Sequence, residues 1–423
     1  MRRLILIAST CLTIYACNNE STPEEKASAD SAANAQQTVV NNLDSLPAPY
    51  ATKSTKNFAE VLGWKNNQMP TAPQGFTVSV FADKLEGPRC IYVASNGDIF
   101  VAQADREGKK GNNIILFKDK NKDGVSDSKT VYLKGLNQPY GMLIINNKFY
   151  VANTDAVLEY PYDPAAITQT ATGKQIVALP AKGRHWTRNI ITNSAKDKLY
   201  IAVGSSSNVA EDGIDKEVRR AGILQVNLDG SNEKVYASGL RNPVGMDWAP
   251  GSGTLWTAVN ERDELGDDLV PDYLTSVKED GFYGWPYSYF GQHTDPRIKE
   301  ADQKPDLVQK AIVPDVALGS HTASLGLLFY TGDNFPAGYH NGAFVAQHGS
   351  WNRSHLAGYK VVFVPFGNGK PSGKPEDFLT GFIARDEKSE VYGRPVSVSQ
   401  AGDGSLLVTD DGAGIIWKVT YKK

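Results

Sequence analysis

From residue 74 onward, apolar and polar residues alternate in short runs separated by turns rich in Gly, Asn and Asp, and helical periodicity is weak. One unit recurs: a turn, an apolar strand, a polar turn, then a second strand ending in Val or Ala. It reads GPRCIYVASNGDIFVAQ at 87–103, QPYGMLIINNKFYVAN at 138–153 and TRNIITNSAKDKLYIAVG at 187–204. It returns as RNPVGMDWAPGSGTLWTAVN at 241–260, ASLGLLFYTGDNFPAGYHNGAFVAQHG at 323–349 and RPVSVSQAGDGSLLVTDD at 394–411. A several-stranded unit repeating about every 40–50 residues is the pattern of a propeller blade, so the sequence predicts an all-β, six-bladed β-propeller. The segment 75–81 alternates as one more strand ahead of the first copy. Pairing it with the last blade would close the ring and remove the open edges. Two stretches escape the unit, 261–322 and 205–221, and loops of that length are uncommon unless functional.

Composition agrees with this picture and removes some functions. At 423 residues the chain is long for one domain of about 150, but a repeat fold overrides that prior. Hydrophobic residues at 41% and charged residues at 22% suit a folded chain with a large core. Lys and Arg number 44 against 47 Asp and Glu, a net charge of -3, which does not suit a bulk nucleic-acid binder. Without a CxxCH stretch the chain carries no c-type haem attachment.

The N-terminus reads as an address. Arg2 and Arg3 precede an apolar run too short to span a bilayer, which ends Ile14-Tyr15-Ala16-Cys17. This predicts a lipoprotein signal peptide over 1–16, lipidation at Cys17, and export to the periplasmic or cell-surface side of a bacterial membrane. Residues 17–50 are polar and poor in large apolar side chains, a flexible tether ahead of a propeller domain at 51–423. Cleavage and lipidation at Cys17 would leave Cys90 as the one unmodified cysteine, a small core residue.

Chemistry concentrates at the openings of the repeats. After residue 17 the chain has 12 arginines against 30 lysines, and Arg89, Arg188, Arg241 and Arg394 each open a repeat. Equivalent positions in a propeller lie around one axis, so the four guanidinium groups would converge. They would repel one another unless an anion sits among them, and their planar forks suit carboxylates. His185, three residues before Arg188, is the candidate general base. His348 and Arg353 follow the second strand of the fifth copy and reach toward the same mouth, where Trp351 would wall a ring-shaped ligand. Glu261, Asp263, Glu264, Asp267, Asp268 and Asp272 crowd one segment. That density suits Ca²⁺, although a solvated acidic loop has the same composition. Asp119, Asn121, Asp123 and Asp127 occupy EF-hand-like positions with Gly124 at the sharp turn. Position 12 is Thr130 rather than Glu, so a polar hairpin turn explains this stretch equally well.

GLRNPVGMDW (239–248), NERDELGDDLVPDY (260–273), GFYGWPYSYFG (281–291) and GRPVSVSQAGDGSLLVTDD (393–411) resemble the sorbosone dehydrogenase-like sugar dehydrogenases that depend on pyrroloquinoline quinone (PQQ). These are six-bladed propellers related to soluble quinoprotein glucose dehydrogenase, and the resemblance covers about 74–420. It implies that Arg241 and Asn242 hold PQQ, a tricarboxylate quinone, while Arg89 and Arg394 pair its carboxylates. It also implies that His185 takes the substrate's hydroxyl proton while hydride passes to the quinone. Ca²⁺ would then bind the quinone oxygen, held by the backbone carbonyls of Arg262 and Asp263. His348 falls where the glucose enzymes place a lysine. The expected activity is oxidation of a sugar or sorbosone-like substrate, with electrons leaving to an external quinone or cytochrome. The competing expectation is a non-catalytic, surface-anchored propeller that binds glycan or protein.

Overall fold

The computed structural model describes residues 46–119 and 126–422. The predicted signal peptide, Cys17, most of the tether, Asn121 and Asp123 lie outside the described residues. Among the described residues the chain is a β-propeller. Each of the six repeat copies supplies the first two strands of a separate sheet. The first sheet runs Pro88–Val93, Ile99–Ala104, Gly111–Lys118, Ser128–Lys134, and the second Met142–Ile145, Lys148–Ala152, Ala156–Pro161, Lys174–Ala178. The other four begin with Arg188–Thr192, Pro243–Trp248, Ser324–Phe329 and Pro395–Gln400. Neighbouring strands are antiparallel, as hairpins joined by tight turns require. The six first strands touch one another in cyclic order, and Pro395–Gln400 lies against Pro88–Val93. Phe76–Ala82 pairs antiparallel with Ile415–Tyr421 as the outer strand of the last sheet, so the two ends of the domain share one sheet.

Burial explains which parts of the pattern are strongest. Ile99–Ala104, Leu255–Val259, Ala343–Gln347 and Leu406–Asp410 are second strands, and every residue in each is buried. Covered on both faces by adjacent sheets, they read as apolar runs rather than alternations. Asp410 tolerates this setting because it accepts from the Arg394 and Ala413 amides and from the Trp64 and Trp417 indoles. Burial nonetheless pushes its pKa upward.

Two expectations need correction. The stretch 261–322 is not one long loop: it holds Pro271–Ser276 and Val316–Ser320, the third and fourth strands of the fourth sheet. Their spacing hid them, because the short pairs Gly281–Phe282 and Ser288–Tyr289 intervene. The chain ahead of the first copy is also bound to the domain. Leu46 packs on the core around Leu265, and the Tyr50 amide donates to the Leu265 carbonyl at 2.8 Å. Glu60–Val61 pairs parallel with Glu390–Val391. Trp64 packs among Phe382, Tyr392 and Trp417.

Candidate active site

A cavity of about 600 Å³ gathers Arg89, from the first strand of the first sheet, with His185, Arg241, His348, Trp351 and Arg394, from loops at the strand ends of four other sheets. That volume lies within the usual range for a small-ligand site. Arg106 and Arg184 line it as well. Five arginines therefore face three aspartates, Asp105, Asp263 and Asp411, leaving a surplus of two positive charges. A larger groove of about 680 Å³ lies elsewhere, lined by Leu318, Tyr359 and Lys374, and brings none of these groups together.

The arginines do different work. Arg241 spends all its N–H groups on the protein: the Asn208 carbonyl and amide oxygens, Asn260, the Glu261 carbonyl at 2.6 Å and the Asp263 carboxylate at 3.0 Å. It offers the cavity charge rather than spare donors. Arg394 gives Nε to the His348 carbonyl and one Nη to that of Gly349, both at 3.1 Å, and so uses two of its five N–H groups. Arg89 pairs Asp411 at 2.6 Å and lies 4.8 Å over the Trp186 ring, and its buried Nε has no partner. Of the repeat-opening arginines that line the cavity, Arg89 and Arg394 are thus the ones with donors to give an anion.

Arg188 does not join them. It is fully buried and donates to the carbonyls of His185, Thr187 and Pro180 at 3.0, 2.9 and 2.7 Å. The strand starts differ. Arg188 opens a strand paired with its neighbour in unbroken register from Val203 onward, whereas the strands beside Arg89, Arg241 and Arg394 begin at Pro88, Pro243 and Pro395 and shift register there. A bulge of this kind re-aims the side chains next to it. Arg353 is also outside the cavity, bonded to the Asp267 carbonyl and paired with Asp268 at 2.8 Å. Asn242 is buried next to Arg241, its Oδ1 without a partner, but it is not part of the lining.

His185 offers the cavity a lone pair. Its Nδ1 lies 2.9 Å from the Ser205 carbonyl, which can only accept, so Nδ1 carries the proton and the Nε2 lone pair is free. Burial, reinforced by the Arg241 charge, holds its pKa well below the usual histidine value. The ring stays neutral into acid solution. His348 is arranged differently: its Nε2 donates to Asp411 at 2.8 Å, and burial with the nearby Arg394 lowers its pKa to about 4. Burial alone would raise Asp411, but His348 and Arg89 more than offset it and keep the carboxylate ionised.

The acidic segment disperses instead of clustering. Glu261 pairs with Arg262, which also reaches Asp295 at 3.1 Å. Asp272 accepts from the Glu261 and Ser324 amides and the Thr322 hydroxyl. The Asp263 carbonyl takes hydrogen bonds from Asn208 and Arg297 at 3.1 and 2.7 Å. Among the described residues no three His, Cys, Asp or Glu side chains are grouped to hold a metal ion. Asp119 and Asp127 are described, but the residues between them that would complete the EF-hand-like loop are not.

With this geometry in hand, comparison with known proteins is decisive for the family. The TrAA12-like family matches residues 70–280 and 290–422. The chain belongs to the TrAA12-like family. An uncharacterized protein of Borreliella burgdorferi is 31% identical over 365 residues, covering 83% of this chain and 90% of that protein. A pyrroloquinoline quinone-dependent pyranose dehydrogenase of Coprinopsis cinerea is 25% identical over 82% of this chain, which spans only 55% of that enzyme's length. The holo PQQ domain of a Coprinopsis cinerea pyranose dehydrogenase shares the fold, with a TM-score of 0.71, 21% identity, and coverage of 86% of this chain and all of that one.

In and behind this TrAA12-like cavity stand groups that sequence reasoning missed. Asn208 is a hub: its Oδ1 accepts from Arg241 and from the Asp263 amide, both at 2.9 Å, and its carbonyl accepts from the Trp285 indole. It lies in the irregular stretch 205–221, and that irregularity was the available signal. Asp411 and Trp186, which position Arg89 and His348, had none.

Proposed function

We propose that this chain is a PQQ-dependent sugar dehydrogenase on a closed six-bladed propeller, oxidising a sugar or sorbosone-like substrate and passing electrons to an external acceptor. Six sheets, five of four strands and one of five, with cyclic contacts between their first strands support the blade count. The observation that carries the function is the one cavity holding a neutral, oriented histidine among arginines with unspent donors. PQQ, when bound, supplies a quinone that accepts hydride from a carbon bearing a hydroxyl. Arg89 and Arg394 bind its carboxylates, and the buried Arg89 Nε without a partner is the kind of group an anion would satisfy. Arg241 adds positive potential from a fixed position. His185 Nε2 accepts the hydroxyl proton as the C–H bond gives up its hydride, so the substrate leaves as a carbonyl compound. His348 gives its Nε2–H to Asp411 and so holds that carboxylate, the partner of Arg89, in the wall of the site.

Calcium fits the described residues less well. An ion on the Asp263 carbonyl would have to displace Asn208 and Arg297, and Glu261 is committed to Arg262. The reading therefore assigns no step to Ca²⁺. Lipidation at Cys17, with attachment to a bacterial membrane, remains part of the proposal on the strength of the sequence.

The test uses the chain from about residue 46, titrated with PQQ with and without Ca²⁺ by quinone absorbance, then supplied with aldoses and an artificial electron acceptor. Binding followed by sugar-driven reduction is expected. Binding without reduction would remove the substrate class. No binding under either condition would overturn the reading and favour a glycan- or protein-binding propeller.

A further inference from the structure

The N-terminal segment reaches the cavity mouth. Phe58 lines the same cavity as His185, and its ring stacks on Trp351 at 5.6 Å between centroids and 12° between planes. Trp351 covers one face of Phe58, yet Phe58 remains 70% exposed. Core packing does not account for a large aromatic ring held in solvent at the rim of a polar cavity. Nor is it a loose end. The Asn57 amide donates to the Trp351 carbonyl at 2.7 Å, and the Asn57 side chain donates to the Ser354 carbonyl at 3.0 Å. The Glu60 amide bonds the Ser389 carbonyl at 2.8 Å, and Asn352 reaches back to the Thr55 carbonyl. Backbone and amide contacts on both sides thus fix Phe58 in place without using the ring itself.

We propose that Phe58, backed by Trp351, is the stacking surface for the apolar face of the sugar ring, which makes the N-terminal segment part of the substrate site. The inference rests on the sugar-dehydrogenase reading above. A pyranose has a rim of hydroxyls and a face of C–H groups, and an aromatic ring is complementary to that face. Phe58 has no hydrogen-bonding group, so it reads the face alone. The hydroxyl rim finds its partners in Asp105, Arg106 and Arg184 around the same cavity. Arg89 is buried and His185 and Arg394 are half-buried, which leaves the exposed Phe58 ring to the part of the ligand that enters last.

The test compares wild type, Phe58→Ala and Phe58→Tyr, all loaded with PQQ. KM and kcat are measured for the aldose that the wild type oxidises fastest, and the Kd for glucose is measured by calorimetry on the same samples. Phe58→Ala should raise KM and the glucose Kd about tenfold, about 1.4 kcal/mol. Its kcat and PQQ affinity should stay at wild-type values, and Phe58→Tyr should restore KM. Unchanged KM and glucose Kd in Phe58→Ala would overturn the inference. So would a loss of PQQ affinity with sugar binding intact, because the ring would then serve the cofactor. A wild type that binds PQQ but oxidises no aldose would remove the substrate class, and the glucose Kd of the variants would still decide the platform.

Discussion

Gly204 offers a way to move the proposed base without deleting any functional group. It follows the strand Lys198–Val203 and packs directly against the site. A Cβ added there would lie 2.2 Å from Asn242 Oδ1 and 2.6 Å from the His185 Cβ, where ordinary contact begins at 3.4 Å. Something must yield by about 1 Å, and the strand is held in register with Arg188–Thr192 and Gly222–Asn227 on either side. Asn242 can turn its amide aside, but the His185 Cβ moves only with its own backbone, so the loop that carries His185 shifts and takes the ring with it. Overpacking of this kind costs about 1–3 kcal/mol of stability, which a folded domain can bear. A misplacement of about 1 Å at a reacting group costs on the order of 10²-fold in rate. Gly204→Ala should therefore fold and bind PQQ but lose about 10²-fold in kcat. Steady-state turnover with an artificial acceptor reads the loss, and thermal unfolding with PQQ titration confirms the protein is intact. The control is the same substitution in a His185→Ala background. That background has already lost about 10²–10⁴-fold, and Gly204→Ala should add little to it, because no base remains to be displaced. A folded, PQQ-binding Gly204→Ala with kcat within threefold of wild type would refute His185 as the base.

Three further outcomes follow from the same geometry. Arg394→Gln should weaken PQQ binding by about 10–100-fold, the loss of one or two charged hydrogen bonds of about 1.5–3 kcal/mol together, as read by absorbance titration. Arg188→Met should leave the PQQ Kd within threefold but lower unfolding stability by about 2–4 kcal/mol, since it strips donors from three buried carbonyls; a lost PQQ Kd with stability intact would return Arg188 to the anion site. The pH dependence follows from His348, whose pKa falls from 6.5 to about 4 in the folded chain. The unfolded chain takes up that proton first, so stability is full above pH 6.5 and declines as pH falls toward 4. The cost from His348 alone is about 3 kcal/mol at most. Urea midpoints at pH 7 and pH 4.5 should converge more closely in His348→Gln than in wild type, and an identical drop in both would refute the assignment.

The fold was legible because its signal is local and repeated six times. Each strand pair carries its own turn residues and alternation, and buried second strands such as Ile99–Ala104 add unbroken apolar runs. The outer strands of the fourth sheet were not legible: Pro271–Ser276 meets Val316–Ser320 across some forty residues of intervening chain, and no local period records that pairing. The site divides along the same line. Arginine at the opening of a repeat is visible in one dimension, and three of the four such arginines do line the cavity. Whether such an arginine faces the cavity goes with a bulge at the start of the strand, which spacing alone does not resolve, and the Arg188 strand has none. The acidic segment shows the opposite failure. Six carboxylates within twelve residues looked like one ligand set because composition counts charges without partners. Arg241, Arg262 and Arg353, with the Ser324 and Ser354 amides, each claim a different member. A cluster in sequence is thus a weaker sign of a metal than the same residues without cationic partners nearby. The same logic strengthens the anion site, because there the unspent donors belong to the cations. Arg89 and Arg394 retain N–H groups that the protein does not use, and a chain that buries such groups beside a cavity has left them for a ligand.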